Sequence, residues 1–316
     1  MTRYALIGPG AVGGLYAGRL AAAGHELHVL ARSDAEYLRR HGLTVESPGG
    51  DFHVQPEVHT DPAAIPPVDV VIVGLKTTAT ASLAPLLGPV VRPGATVVLL
   101  QNGLGVEAAA AGAAPGATLL GGLCFVCAVK DAPGHVRHLD YGAVTLGQHA
   151  ADGSAAGLTD ALEAVAADLE ASGTDVVREH DLRAARWRKL VWNIPYNGLT
   201  VVLDAGTDEL MADPAARALV EGLMEEVGAA AAAVGRPLPD GFVDEMLRMT
   251  DTMVPYRPSM KLDFDAGRPL ELDAIYARPV RAAAAAGCAV PRIEALWQQL
   301  AFLDQRNARN AGNARQ

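Results

Sequence analysis

An α/β amino-terminal half followed by an all-α carboxy-terminal half is the fold class the sequence predicts. Three observations carry it. The first is a glycine pattern, Gly8-Pro9-Gly10-Ala11-Val12-Gly13, set between an apolar strand-like run and a helix-like run. The second is a set of short apolar runs, Val68–Val73 and Thr96–Leu100 among them, with the length of buried parallel strands. The third is a change of period near residue 180, after which helical spacing replaces strand patterns.

Arg3–Ile7 alternates and then runs apolar, as a buried first strand does. Val12–Ala23 reads as a helix rich in small residues, and Glu26–Leu30 as a second strand. Between strand and helix, GxGxxG is the fingerprint of a Rossmann-type dinucleotide site. Gly8 allows the tight turn, Gly10 lets the backbone approach a pyrophosphate, and Gly13 lets the helix pack close to the strand. The unpaired N–H groups of Ala11, Val12 and their neighbours then face the phosphates at the positive end of the helix.

The end of the second strand selects the cofactor. An NAD site usually places Asp or Glu there, on the ribose hydroxyls. Here the chain reads Leu30-Ala31-Arg32-Ser33. Arg32 can fork onto a 2′-phosphate and Ser33 can add a hydroxyl, which predicts NADP(H). The alternative leaves Arg32 as a solvated loop charge and gives the ribose to Asp34.

Leu43–Ser47 and Phe52–Gln55 read as short strands around Pro48-Gly49-Gly50-Asp51, expected beside the sheet as an insertion. Val68–Val73 ends in Gly74-Leu75-Lys76-Thr77. Lys76 is thereby placed for cofactor phosphate or ribose, since ligands sit outside the carboxyl ends of parallel strands; the plainer reading is a surface lysine. Thr96–Leu100 ends in Gln101-Asn102-Gly103, and Asn102 at that rim can face nicotinamide or substrate. Leu119–Val129 and Val136–Gly147 carry two or three further strands. Gly157–Ser172 is an amphipathic helix and Asp175–Glu179 a last strand.

From Asp181 onward, Arg183–Asn197, Pro214–Val234, Leu238–Met253 and Arg278–Leu303 read as helices, with breaks marked by Pro255, Pro258, Pro269 and Pro291. The expected organisation is a dinucleotide-binding domain at 1–180, a helical domain at 181–304, and a polar, frayed tail at 305–316.

A chain of 316 residues at 50% hydrophobic content can bury the cores of two domains. The formal net charge of -10 argues against nucleic acid or an anionic membrane surface as a main partner. No apolar run reaches the roughly 18–20 residues of a membrane span, and the N-terminus lacks a signal-peptide pattern; a soluble, cytoplasmic protein is expected. Cys124 and Cys127 form a lone CxxC in a strand-like run. Strand residues three apart point to opposite faces, and no second Cys or His pair completes a site. Reduced thiols and no metal are expected.

Substrate is expected between the two domains. Reducing a carbonyl requires a proton donor beside the forming alkoxide, most often histidine. All nine histidines precede residue 181. Lysine is the substitute: its ordinary pKa of about 10.4 keeps it protonated and it stabilises alkoxide charge. Lys189 and Lys261 are the only lysines beyond residue 180. Lys189, Asn193 and Asn197 are four residues apart, which on a helix aligns them as a polar ridge through an apolar run. A second cluster, Tyr256 to Asp265 and Gly267 to Asp273, contains Ser259 and Glu271. Glu271 follows Pro269 and reads as the start of a helix, where it can pair with Lys189 or accept from substrate or cofactor hydroxyls; an acidic residue at a helix N-terminus is also ordinary.

Gly8–Gly13, Leu75-Lys76, Gln101-Asn102-Gly103-Leu104-Gly105, Trp187-Arg188-Lys189-Leu190 with Asn193 and Asn197, and Ser259-Met260 with Glu271 twelve after Ser259 resemble the ketopantoate reductase (2-dehydropantoate 2-reductase) family, over nearly the whole chain. The resemblance implies a Rossmann domain with a helical C-terminal domain like that of 6-phosphogluconate dehydrogenase. It also implies NADPH-dependent reduction of 2-oxopantoate to (R)-pantoate, a step toward pantothenate. Carried over by position, Lys189 is the general acid and Glu271 its acidic partner at the cofactor. Asn102, Asn193, Asn197 and Ser259 are substrate residues. Gly8, Pro9, Gly10, Ala11, Val12, Gly13, Arg32, Lys76, Asn102 and Ala128 contact the cofactor. The implied partner is a small 2-oxo acid; a homodimer is allowed, and nothing in the sequence fixes it.

The chain departs from the family pattern on the substrate side. Thr207 stands where a third asparagine is usual, and Gly198 where a proline is usual. Pro195 falls inside the ridge and should kink it, and a loop at Leu123–Cys127 is unusually apolar. Two alternatives follow: the same machinery acting on another 2-oxo acid or ketone, or a dinucleotide-sensing protein without turnover.

Overall fold

The first strand is buried from its second residue. In β1 (Arg3–Ile7), Tyr4, Ala5 and Leu6 are wholly inaccessible to solvent. The computed structural model describes residues 1–313. Contacts divide it into two units: residues 1–102 with 106–185, and residues 103–105 with 186 onward.

In the first unit β1 leads to α1 (Ala11–Ala22), β2 (Glu26–Leu30), α2 (Ala35–His41), β3 (Leu43–Glu46), β4 (Phe52–Val54), β5 (Glu57–His59) and β6 (Val70–Val73). Then come α3 (Leu83–Leu87), β7 (Thr96–Leu99), α4 (Val106–Ala111), β8 (Thr118–Ala132), β9 (His135–Gln148), α5 (Asp160–Ala171) and β10 (Val176–Glu179). All ten strands join one mixed sheet in the order β4-β3-β9-β8-β7-β6-β1-β2-β5, with β10 also on β9. The segment β5-β2-β1-β6-β7-β8 is parallel. It aligns the carboxyl ends of β1, β2 and β6 along one rim.

Two expectations need correction. The residues 43–55 pair is no insertion beside the sheet: β3 pairs parallel with β9 and antiparallel with β4. Leu43 and Val45 are buried in the same core as α1, and that burial draws the pair into the sheet. Leu123–Cys127 is no loop either. It lies within β8, paired to β9 through a register shift at Phe125/Val126, and a strand buried on one side accounts for its apolar character.

The second unit is helical: most of α6 (Leu182–Val202), then α7 (Thr207–Ala212), α8 (Pro214–Ala233), α9 (Phe242–Asp251), α10 (Ser259–Asp265), a π-helical turn at Asp273–Ala277, α11 (Arg278–Ala285) and α12 (Pro291–Asn313). Its core sets Trp187, Leu190, Val191 and Ile194 of α6 with Val220, Leu223 and Val227 of α8 and Ile293, Leu296 and Leu300 of α12. Gly103–Gly105 is bound into this unit. Arg186 Nη1 donates to the Gly103 oxygen at 3.0 Å, and Arg278 Nη1 to the Leu104 and Gly105 oxygens at 3.1 and 2.7 Å.

The expected single helix at Arg278–Leu303 is two, broken at Gly287 with φ +72° and restarted at Pro291. The tail is not frayed over its described part. The helix continues through Asn313, and Asn307 Nδ2 donates to the Phe264 oxygen at 3.0 Å. Residues 314–316 of that expected tail lie outside the described residues. Among the described residues no helix is long and apolar enough to cross a membrane, and no group of His, Cys, Asp or Glu could hold a metal ion.

Candidate active site

The glycine turn is built by mutual close approach. Gly8 has φ +90°, and a Cβ there would fall 2.6 Å from Leu75 Cδ2. A Cβ on Gly13 would fall 2.8 Å from the Gly8 oxygen and 3.2 Å from Gly74 Cα, so α1 can sit on β1 and β6 only without one. Gly10 differs: the nearest atom to a Cβ there is 3.9 Å away. Its missing side chain opens space at the N-terminus of α1, where Gly10 itself makes no side-chain cap. A pyrophosphate fits that cradle by shape and by the sign of the helix end.

Beside this turn lies a cavity of about 560 Å³. Of the residues expected to hold a cofactor, Gly8, Pro9, Gly10, Arg32 and Lys76 line it, with Ser33 and Asp34. Arg32 and Lys76 are exposed at its edge. Ala11, Val12 and Gly13 form the first turn of α1 and do not line the cavity; Gly13 acts in the packing. Asn102 and Ala128 are half-buried and also outside the lining. Ala128 sits at a register shift in β8, between Cys127 and Ala128. Gly74 and Lys130, the latter reaching the cavity from β8, were not singled out from sequence. A signal for Lys130 existed: only four of the chain's 26 basic Lys and Arg residues are lysines, so each survives against a strong arginine bias.

Cys124, Cys127 and Cys288 are thiols outside any disulfide. Burial pushes the Cys127 thiol up to about 11, so it is protonated at neutral pH.

In the second unit α6 carries the polar ridge. Lys189 is half-buried, while Asn193 and Asn197 are 5% and 3% exposed. Asn193 Nδ2 is buried without a hydrogen-bond partner in the protein. Asn197 Oδ1 accepts from the Met260 N–H at 3.5 Å, which brings the ridge to the start of α10. Ser259, half-buried, opens that helix. Glu271 is 6% exposed. It opens a helical segment, as expected: its backbone oxygen accepts from the Ile275 N–H at 3.2 Å, and the helix then passes through the π-helical turn at Asp273–Ala277. Such turns are frequent at functional sites. Pro195 does not end α6: the helix runs seven residues past it to Val202.

The segment before Ser259 is fastened to the end of α6 and the start of α7. The Thr207 hydroxyl donates to the Tyr256 oxygen at 3.2 Å and accepts from its N–H at 3.3 Å. Lys261 is 1% exposed, paired with Asp204 at 2.6 Å and with Asp265. Burial alone would lower its pKa, but the two carboxylates outweigh burial and raise it. Lys261 is thus committed to structure, and Thr207 serves as a fastener.

Two family models, described as ketopantoate reductase PanE/ApbA and its C-terminal part, match residues 4–151 and 181–304. A 2-dehydropantoate 2-reductase of Nostoc sp. is 48% identical over 306 residues, 96% of each chain. Among solved structures, the 2-dehydropantoate 2-reductase of Geobacter metallireducens GS-15 superposes with TM-score 0.89 at 39% identity, covering 95% of this chain and 99% of that one. That of Methylococcus capsulatus gives 0.88 at 32%, covering 96% and 97%.

Proposed function

We propose that this chain, which belongs to the ketopantoate reductase (PanE/ApbA) family and is an oxidoreductase of the CH–OH class, reduces 2-dehydropantoate to (R)-pantoate with NADPH. The observation that carries the substrate side is the buried Asn193 amide with an unpaired Nδ2, one helical turn from Lys189. Leaving such a group unpaired costs about 1–3 kcal/mol, a cost that a ligand's oxygen removes.

The cofactor side rests on Gly8, Pro9, Gly10, Arg32 and Lys76, which line the cavity, with Ala11, Val12 and Gly13 in the first turn of α1 beside it. A bound NADPH supplies the hydride for C2 of the 2-oxo acid. Lys189 donates the proton to the oxygen that becomes the hydroxyl. Asn193, Asn197 and Ser259 hold the hydroxyl and carboxylate, Glu271 accepts from the ammonium of Lys189 or from ribose, and Asn102 orients the carboxamide or substrate. Ala128 would fall near the segment that flanks the bound cofactor. In this arrangement the charge that develops on the substrate oxygen meets an ammonium in a partly desolvated place, where it is worth more than in water.

Steady-state oxidation of NADPH with 2-dehydropantoate, with NADH and a panel of 2-oxo acids alongside, tests the reading. 2-Dehydropantoate with NADPH should give the highest kcat/KM. Another 2-oxo acid ahead of it would replace the substrate assignment, and binding of NADPH without oxidation of any panel member would replace the enzyme assignment.

A further inference from the structure

The cavity beside the glycine turn has a mixed rim. Arg32, Lys76 and Lys130 contribute three cations, and Asp34 is the single carboxylate among its described lining residues. Asp34 lies just past the end of β2, where a free acid accepts ribose hydroxyls and rejects a 2′-phosphate. This carboxylate is not free. It is 8% exposed, its Oδ1 accepts from Ser33 Oγ at 3.0 Å, and its Oδ2 accepts from Lys130 Nζ. The lysine comes from the far end of β8, 96 residues on. Both carboxylate oxygens are therefore engaged from within the protein.

We propose that the Lys130–Asp34 ion pair sets which dinucleotide the cavity takes, by occupying the one acid that would otherwise favour an unphosphorylated ribose. The proposal rests on the reading that this cavity binds the cofactor. With Lys130 in place the four charged lining groups sum to a formal +2, and a 2′-phosphate carrying about -1.5 to -2 meets this rim with the Asp34 carboxylate already held in its own ion pair. With Lys130 removed, the sum falls to +1. The released carboxylate, itself only 8% exposed, then stands beside the phosphate position, where a like charge disfavours binding. Lys130 is a specificity residue of the adenosine end and takes no part in the chemistry at C2.

Calorimetric titration of the purified protein with NADP⁺ and NAD⁺, and with 2′,5′-ADP and 5′-AMP, reads this without turnover. Lys130→Met should lower the NADP⁺-to-NAD⁺ affinity ratio by about tenfold or more, with the same trend for the two shorter nucleotides. The double variant Lys130→Met/Asp34→Asn should recover part of that ratio, because the harm comes from the freed carboxylate. A wild-type ratio in Lys130→Met overturns the proposal, as does a double variant no better than the single. Should Lys130→Met fail to fold, Asp34→Asn decides: a ratio at or above wild type supports the proposal, and a fall below it overturns it. Failure of the underlying reading looks different, since wild type would then bind neither dinucleotide or both equally, and the proposal falls with it.

Discussion

The hydroxyl of Tyr276 donates to the backbone oxygen of Ile194 at 2.9 Å. It joins the π-helical turn after Glu271 to α6 at the residue before Pro195. The contact exists because residue 198 is glycine. A Cβ there would stand 2.7 Å from the Tyr276 hydroxyl and 2.6 Å from Leu296 Cδ2. Both neighbours are buried, so neither can swing into solvent. Gly198→Ala should therefore destabilise the protein by about 1–3 kcal/mol through overpacking, despite alanine's better helix propensity. Tyr276→Phe should cost about 0.5–1.5 kcal/mol. Urea denaturation of both variants checks this, and a Gly198→Ala midpoint at or above wild type would contradict it.

Asn193 gives a prediction of opposite sign for stability and activity. Its Nδ2 is buried without a partner in the protein, so Asn193→Leu exchanges an amide with an unpaired nitrogen for an apolar group of similar size. The ligand-free variant should melt at or above the wild-type temperature, while kcat/KM for the 2-oxo acid falls by roughly tenfold or more, the usual effect of losing a hydrogen bond to substrate. A clear loss of stability would mean that the amide is already satisfied inside the protein.

Acid should loosen the first unit below about pH 6.5, the ordinary histidine pKa. His138 Nε2 lies 3.1 Å and 2.8 Å from the Asp140 and Tyr141 oxygens, to which it donates. Its Nδ1 is then the acceptor for Ser47 Oγ at 2.8 Å and Arg19 Nη2 at 3.3 Å. Burial first, then the Arg19 charge, hold its pKa below the ordinary value against the pull of the Tyr141 oxygen. His59 is lowered likewise, by burial and by His28. Through this window His138 and His59 bind more protons in the unfolded chain than in the folded one, so their contribution to stability rises with pH and is lost on acidification, whereas His135, raised by Asp131 and Glu46, contributes with the opposite sign. Melting temperatures from pH 8 to pH 5 should decline below 6.5. His138→Gln should decline less steeply; an equal slope would remove His138 from the account.

The parallel rim, the glycine turn and the placement of Arg32 and Lys76 were readable because each rests on local pattern: a strand, a turn, a charge at a strand end. The ridge of Lys189, Asn193 and Asn197 was readable for the same reason, as helical spacing alone puts the three on one face. What escaped were pairings between distant segments. Lys130 matters through Asp34, Gly74 through Gly8 and Gly13, and Tyr276 through Ile194 and Gly198. None of these has a signature within its own ten-residue window. The membership of β3 and β4 in the sheet escaped likewise, because β3's partner β9 lies about ninety residues on and β4 joins only through β3. Thr207 and Gly198, departures in the sequence, have local structural roles in fastening Tyr256 and admitting Tyr276.

Kinetics of Lys189→Ala with NADPH and 2-dehydropantoate test the central claim most directly. A positioned general acid contributes about 10²–10⁴-fold. The variant should therefore fold, bind NADPH in calorimetry with wild-type affinity, and lose kcat by that factor. A Lys189→Ala protein that turns over at the wild-type rate would contradict the account.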